Sequence, residues 1–351
     1  FDEPITVMQL AESIGPGLLV CENGVNVLRG SVPTFLPFQR LLNVWLGREQ
    51  LFAAWDEYVK ENGKPDVVHA HSLYPGAFFA EMLSERYGVP FVYTEHRSLQ
   101  HLPARSRVAK LVERSVVRAA HSRLAVSQGH AEHLAERFPG TRWECVPNLL
   151  PCLGQAEASP GVTPHGSPDR TFTFGHLSIL DPVKRVDMLL SAFAEVHHAN
   201  ELTRMIIGGD GPELEALMEQ ARELDLTDAV TFTGRLDRSD VPEFYSKLDA
   251  FILPSSSESM GVVQIEALAA GVPVISTRTW GGETVIRDSR DGILIDIDSE
   301  EQLVRAMQAV QDRDDAPEDR RARAERCVAR FGAEAFTEHY ERIYANAMGN
   351  K

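Results

Sequence analysis

Two glutamates eight residues apart, Glu258 and Glu266, flank a glycine that opens a helical pattern. The apolar run Ala250-Phe251-Ile252-Leu253 reads as a strand and stops at Pro254. A small polar loop, Ser255 to Ser259, follows. Gly261 then opens a helical stretch through Ala270, closed by Gly271 and Pro273. A helix N-terminus at the carboxyl end of a strand presents unbonded N–H groups and suits a phosphate. An acid is not needed there for a phosphate and would repel it. Glutamates on either side of such a seat point instead to hydroxyl recognition, as for a ribose and a sugar ring. A carboxylate suits either task because it accepts two hydrogen bonds from vicinal hydroxyls.

These residues need a scaffold, and the totals bound it. The chain has 351 residues, room for two domains of ordinary size. With 43% hydrophobic and 25% charged residues, its composition is that of a soluble globular protein. A net charge of −16 argues against non-specific nucleic-acid binding. Any anionic ligand must then be met by locally concentrated cations, so single Lys and Arg residues near glycine turns become informative. The four cysteines, Cys21, Cys145, Cys152 and Cys327, form no CxxC pair and no zinc-type spacing, which fits reduced thiols in the cytoplasm. No apolar run reaches the ~18 residues of a spanning helix, and no signal-peptide pattern is visible.

Strand and helix patterns alternate throughout, which predicts an α/β protein with parallel sheets. In the first half, strands are expected over 66–70, 90–94 and 123–126, with helices over 77–87 and 109–120. Residues 151–170 are rich in Pro, Gly and Ser, lack periodicity and read as an interdomain linker. The second half restarts with a strand at 171–174 and a helix at 186–197. A strand at 204–207 then runs into Gly208-Gly209-Asp210-Gly211-Pro212. Leu214, Leu217, Met218 and Ala221 mark the next helix. Strands follow at 230–232, 250–253, 274–276 and 293–295. A last helix from about Glu334 carries Phe336, Tyr340 and Tyr344 four apart, a stripe that must dock somewhere. The charge-rich stretch 311–326 reads as a solvated loop and helix face.

With these landmarks in order, the second half resembles the family 4 retaining glycosyltransferases, which have the GT-B fold. Phe174-Gly175-His176-Leu177 is followed by Lys184, then by Gly208 to Pro212 and Phe232-Thr233-Gly234. Pro254-Ser255 precedes the Glu258-x7-Glu266 pair, and Ala269-Ala270-Gly271-Val272-Pro273-Val274 and Gly281-Gly282 close the series. A lone glycine turn occurs in many sheets; the whole series is specific. The first half matches at Asp66-Val67-Val68-His69-Ala70-His71, Thr94-Glu95-His96, Ala125-Val126-Ser127 and Val146-Pro147-Asn148. The implied architecture is two Rossmann-like domains whose parallel sheets face an interdomain cleft. Residues 1–165 would bind the acceptor, 166–330 would bind the nucleotide sugar, and 331–351 would form a helix packing back on the first domain.

The resemblance also implies roles. Glu258 contacts the hydroxyls of the transferred sugar and Glu266 holds the ribose. The backbone of Ser259, Met260 and Gly261 seats the phosphate. Lys184 faces the diphosphate, with His176 standing where the family places an Arg. Arg185 sits where the family often has Gly and is a candidate for the missing charge. Arg235, after Gly234, would border the base and is suited to stacking. His96 lies beside the transferred sugar and His71 faces the acceptor side; His96, Lys184 and Glu258 form the catalytic set. Asp66, His69 and His71 have a metal-like look, but one i, i+2 His pair is weak evidence. Asp296-Ile297-Asp298 resembles a DxD metal motif, yet opens a helix and is better explained by capping. No metal and no cofactor are expected beyond the nucleotide-diphosphate sugar as substrate.

The expected reaction is metal-independent transfer of a sugar, with retention, to a glycan, a lipid-linked acceptor or a small molecule. A cytoplasmic location is expected, with peripheral contact at the inner membrane face left open. Two rivals stand beside it: a nucleotide-sugar epimerase of similar fold, and a degenerate nucleotide-sugar binding module without turnover. The family usually opens with a strand and a Gly-Gly loop that reaches the donor phosphate. Here only Ile5-Thr6-Val7-Met8 and Gly15-Pro16-Gly17 are visible, so either an upstream piece is missing from the chain or the loop has been lost.

Overall fold

The computed structural model describes residues 6–11, 18–22, 25–31, 40–97, 107–151, 171–313 and 315–349. The expected linker after Pro151 and the Gly15-Pro16-Gly17 turn lie outside them. The chain divides into two compact units. One comprises Phe1–Ala125, Ala131–Cys145 and Tyr340–Lys351; the other comprises Val126–His130 and Val146–His339.

The first unit holds two sheets. Strands β1 (Thr6–Ala11), β2 (Leu18–Glu22) and β3 (Val25–Ser31) form one, with β1 parallel and β2 antiparallel to the central β3. Strands β4 (Val68–His71), β5 (Phe91–Glu95), β6 (Ser122–Ala125) and β7 (Glu144–Cys145) form an all-parallel sheet in sequential order. The helices Arg48–Asn62, Phe78–Tyr87, Arg107–Ala119 and Gln128–Arg137 supply Leu51, Trp55, Phe78, Phe79, Leu83, Val116, Val117 and Leu134 to its core. β5 is buried along its whole length, as a strand covered on both faces must be. The last helix, Ala333–Ala347, ends in this unit, where Tyr340 and Ile343 are buried.

The second unit is one six-stranded parallel sheet. Its strands are β8 (Phe172–Leu177), β9 (Thr203–Gly208), β10 (Val230–Gly234), β11 (Ala250–Leu253), β12 (Val274–Thr277) and β13 (Gly292–Ile295). Their spatial order is β10-β9-β8-β11-β12-β13. That is the 3-2-1-4-5-6 order of a doubly wound domain, in which ligands bind outside the carboxyl ends of the strands where the order reverses. Here the reversal falls between β8 and β11. The sequence elements explain the layering: β11 is an apolar run buried at every residue, β8 buries Phe172 and Phe174, and the helix Val186–Ala199 buries Val186, Met188, Leu189, Leu190, Ala192, Phe193, Ala194 and Val196.

The stretch 311–326 is not simply a solvated face. The helix Pro317–Phe331 buries Arg323, Cys327 and Phe331, and Arg323 pairs with the buried Asp315. Its guanidinium has found one carboxylate and two carbonyls inside the fold, which removes the usual penalty for burying charge.

Candidate active site

Two loops leave the sheet on either side of the reversal point. The loop after β8 turns through a short 3-10 segment, Pro182–Lys184, into the helix Val186–Ala199. The loop after β11 runs from Pro254 to Gly261 and opens the helix Val262–Ala269. Ser256 ties them together, donating its backbone N–H at 2.8 Å and its hydroxyl at 3.2 Å to the carbonyl of Val183. Lys184 Nζ then donates to Glu258 Oε2 at 2.7 Å, with side chains only 20% and 17% exposed.

The second loop is held in shape by glycines. Gly261 caps the helix at φ +69, a conformation that favours glycine, and no side chain caps that end. A Cβ there would also crowd Gln264 and Glu258. Gly281 donates its N–H to the Glu258 carbonyl at 2.9 Å, and a Cβ on it would lie 2.6 Å from the Met260 carbonyl oxygen. Met260 is buried. Glu266 lies inside the helix and accepts from the Tyr245 hydroxyl at 3.0 Å, a hydroxyl shared with the Val263 carbonyl at 2.9 Å. Burial pushes the Glu266 carboxyl up, while Tyr245 and then Arg238 pull it back.

In the first unit, β4 and β5 end side by side and carry three histidines. His69 bonds Tyr344 of the last helix through Nδ1 and Thr94 through Nε2, both at 2.7 Å. His71 Nδ1 and His96 Nε2 lie 2.8 Å apart. Such a contact needs one proton between the two nitrogens, so one neutral ring donates to the other. Burial depresses all three, His69 to about 3 and His96 to about 4, and the neighbouring rings add to the effect for these two. All three imidazoles are therefore neutral at neutral pH. Among the described residues no three His, Cys, Asp or Glu side chains converge as a metal site requires.

Below the histidines sits a carboxylate that the sequence reading assigned no role. Glu95 is wholly buried. Oε1 accepts the backbone N–H groups of His96 and Arg97, each at 3.0 Å. Oε2 accepts the Leu73 N–H at 3.0 Å and the Tyr93 hydroxyl. Burial raises the carboxyl, and four donors oppose the rise. One side chain thus fastens the loop after β4 to the loop after β5. Glu95→Gln leaves the Leu73 N–H facing an amide donor, and an orphaned buried N–H costs ~1–3 kcal/mol. A urea titration should show a loss of that size; an unchanged midpoint would show that the clasp carries no weight.

Comparison with known proteins fits this geometry. Residues 9–151 match the model of Glycosyltransferase Family 4 and residues 163–326 match that of Glycosyl transferases group 1. The chain belongs to this glycosyltransferase family. A D-inositol 3-phosphate glycosyltransferase of Salinispora arenicola is 30% identical over 261 residues, covering 67% of the chain and 58% of the relative. The chain therefore spans somewhat over half the length of that relative. A sucrose-phosphate synthase from Thermosynechococcus elongatus shares the fold at TM-score 0.77 and 18% identity, over 99% of this chain and 89% of that one. So does Anabaena HepE, solved in complex with UDP-glucose, at TM-score 0.69 and 19% identity, over 91% and 86%. These likenesses show the GT-B fold.

Against the glycosyltransferase landmarks, the structure brings Lys184, Glu258, Ser259, Met260, Gly261 and Glu266 onto the two loops and one helix just described. His176 is not among them. Its ring is sealed in the sheet, bonded to the Ile252 carbonyl at 2.9 Å and the Ser178 hydroxyl at 2.7 Å, and stacked on Phe251. Burial lowers it to about 4, so it is neutral and cannot replace the family's Arg as a cation. Arg185 adopts φ +52, which explains the family's glycine at this place, and it is engaged by Asp187 at 3.2 Å and by Asp298. Asp298 therefore serves as an ion-pair partner rather than as a helix cap. Asp296 bonds Gln302 across the first turn of the helix Glu300–Gln311. Arg235 is exposed just beyond Gly234, which turns the chain at φ +67.

The residues missed by sequence reading are Glu95, Tyr245 and Tyr344. Only Tyr344 left a signal, as one member of the aromatic stripe that needed a dock.

Proposed function

We propose that the protein transfers a sugar, with retention and without a catalytic metal, from a nucleoside diphosphate sugar to an acceptor hydroxyl in the cytoplasm. The observation that carries this reading is the Lys184–Glu258 pair at the reversal point of the second sheet, beside the open N-terminus led by Gly261. The bond between the anomeric carbon and the departing phosphate oxygen breaks, and the oxygen keeps the electron pair. Lys184 and the helix N-terminus stabilise that growing charge. The acceptor oxygen attacks from the same face and its proton passes to the departing phosphate. Neither glutamate is then a nucleophile. Glu258 orients the sugar by its hydroxyls, Glu266 the ribose, and Arg235 borders the base. His96 and His71, neutral, meet the acceptor side as hydrogen-bonding groups.

UDP-glucose, the ligand of the Anabaena relative, is the first donor to test. Isothermal titration with UDP should show binding to the wild type, and Glu266→Ala should weaken it about ten- to a hundredfold, as for hydrogen bonds to a charged acceptor. Equal affinity for the variant would refute the ribose assignment. No UDP binding by the wild type, with other nucleoside diphosphates equally silent, would overturn the transferase reading. Binding without turnover toward any acceptor would favour the non-catalytic module that the neutral His176 supports.

A further inference from the structure

The second unit encloses a cavity of about 280 Å³ that belongs to neither loop of the candidate active site. Asp319, Arg323 and Arg326 line it from the helix Pro317–Phe331. They stand four and three residues apart, so they share one face of that helix. Arg313 and Asp315 line it from the turn before the helix, and Ser289 and Arg290 from the loop that leads into β13. The two walls are tied where Arg313 Nη1 donates to the Ser289 carbonyl at 2.9 Å. In a chain of net charge −16, four guanidiniums here meet two carboxylates.

Neighbouring groups do not use up these donors. Arg323 and Asp315 are buried and pair with each other. Arg290 bonds Asp288 through Nε and Nη2 at 2.9 and 2.6 Å, and Arg326 bonds Asp291 through the same two atoms at 3.2 and 2.9 Å. Asp288 and Asp291 stand outside the lining. Nη1 of Arg290 and of Arg326, with Nε and Nη2 of Arg313, have no acceptor among the described residues. Asp319 is exposed, and its carboxylate has no partner among them. An acid in the first turn of a helix is ordinary. This one shares its face with two arginines of the cavity, which sets the chemistry of a ligand. A guanidinium fork matches phosphate oxygens in pairs. Asp319 repels a bare anion but accepts from a hydroxyl. The volume falls just short of the ~300 Å³ at which sites for drug-sized ligands begin, so a short chain fits and a nucleoside diphosphate sugar does not.

We propose that this cavity binds the phosphate monoester of a short polyol, with the phosphate on Arg290, Arg313 and Arg326 and a hydroxyl on Asp319. Its position couples it to a second ligand. Arg323 donates to the Gly271 carbonyl at 2.6 Å, and Gly271 follows the helix Val262–Ala269 that Gly261 opens. Occupancy that steadies these walls should favour nucleotide at that helix, and by reciprocity nucleotide should favour the ester. This coupling clause rests on the transferase reading above.

The test is isothermal titration of the full chain with glycerol 3-phosphate, inorganic phosphate and glycerol, each with and without saturating UDP. The expected result is saturable one-to-one binding of glycerol 3-phosphate, weaker binding of phosphate and none of glycerol. Arg313→Ala and Arg290→Ala should each weaken the ester about tenfold or more. Asp319→Asn should weaken the ester while leaving phosphate as tight or tighter, a split that a misfolded variant cannot produce. UDP should tighten the ester about fivefold. The melting temperature and the UDP affinity without ester report that each variant is folded. No binding of the ester, or binding indifferent to both arginine variants, overturns the site. Loss of ester binding in saturating UDP also overturns it, because the probe had then occupied the nucleotide's phosphate seat. Equal loss of ester and phosphate in Asp319→Asn overturns the polyol assignment. Ester binding that is indifferent to UDP keeps the site and overturns the coupling, and a chain that binds the ester but no nucleotide keeps the site and overturns the transferase reading.

Discussion

Glu258→Gln lowers sugar transfer about a hundredfold while leaving UDP affinity equal to or tighter than that of the wild type. The two halves of this expectation come from the two partners of one carboxylate. In the free protein Glu258 neutralises Lys184 at 2.7 Å. A nucleoside diphosphate that needs Lys184 must displace Glu258 from it, and the released carboxylate becomes free to accept from sugar hydroxyls. The amide cannot hold the ammonium as strongly, so a diphosphate meets less competition. The same amide loses charged hydrogen bonds to the sugar, each worth ~1.5–3 kcal/mol, where orientation governs the rate. Lys184→Ala should differ in kind, weakening UDP binding and turnover together. The measurement is kcat beside a UDP Kd for each variant. Near-normal turnover in Glu258→Gln, or a UDP affinity that falls with it, would remove Glu258 from the sugar side of the site.

The donor half of this arrangement was legible because its local chemistry is punctuated. Pro254, Gly261, Gly271 and Pro273 bound a strand, a loop and a helix with little ambiguity, and the glutamates sit at fixed places among them. The alternation of elements called for a doubly wound parallel sheet, while the 3-2-1-4-5-6 order itself is seen only in the strand pairing, since such sheets have more than one common order. His176 was misread because its neighbours in a family pattern say nothing of where a ring points. Strand periodicity did hold the answer, since Phe172, Phe174 and His176 share one face of β8, and both faces of a parallel sheet are covered. Glu95 was illegible for a different reason. A carboxylate is expected outside unless partners repay its desolvation, and one of those partners, Leu73, lies 22 residues away across a strand pair. The stretch before Asp66 gave least: the helix Arg48–Asn62 buries only Leu51 and Trp55 among charged neighbours, so no clear stripe marks it.

Arg323→Ala destabilises the second unit by ~3–5 kcal/mol, the range for breaking a buried ion pair by removing one partner. The guanidinium is 2% exposed and has no spare role. Nη2 and Nη1 reach the two oxygens of Asp315 at 2.6 and 3.2 Å, Nη1 also donates to the Gly271 carbonyl at 2.6 Å, and Nε donates to the Arg290 carbonyl at 2.8 Å. Alanine leaves a buried carboxylate and two carbonyls without these donors. Lysine does not rescue, because a point charge cannot reproduce the planar fork that spans three acceptors. Arg323→Ala with Asp315→Ala should cost less than the sum of the single changes, since the orphaned charge is gone. The loss reaches the site through Gly271, the turn that closes the helix whose other end is Gly261. That turn sits so close to the helix Pro317–Phe331 that a Cβ on Gly271 would lie 2.8 Å from the Arg320 carbonyl oxygen. The proposed UDP site is in this unit, so its unfolding transition is the one that saturating UDP should raise. Denaturant titrations of the two single variants and the double, each with and without UDP, measure the effect. A cost below ~1 kcal/mol for Arg323→Ala, or strict additivity in the double variant, would show that the buried pair contributes no coupling and is not the tie beneath the donor helix.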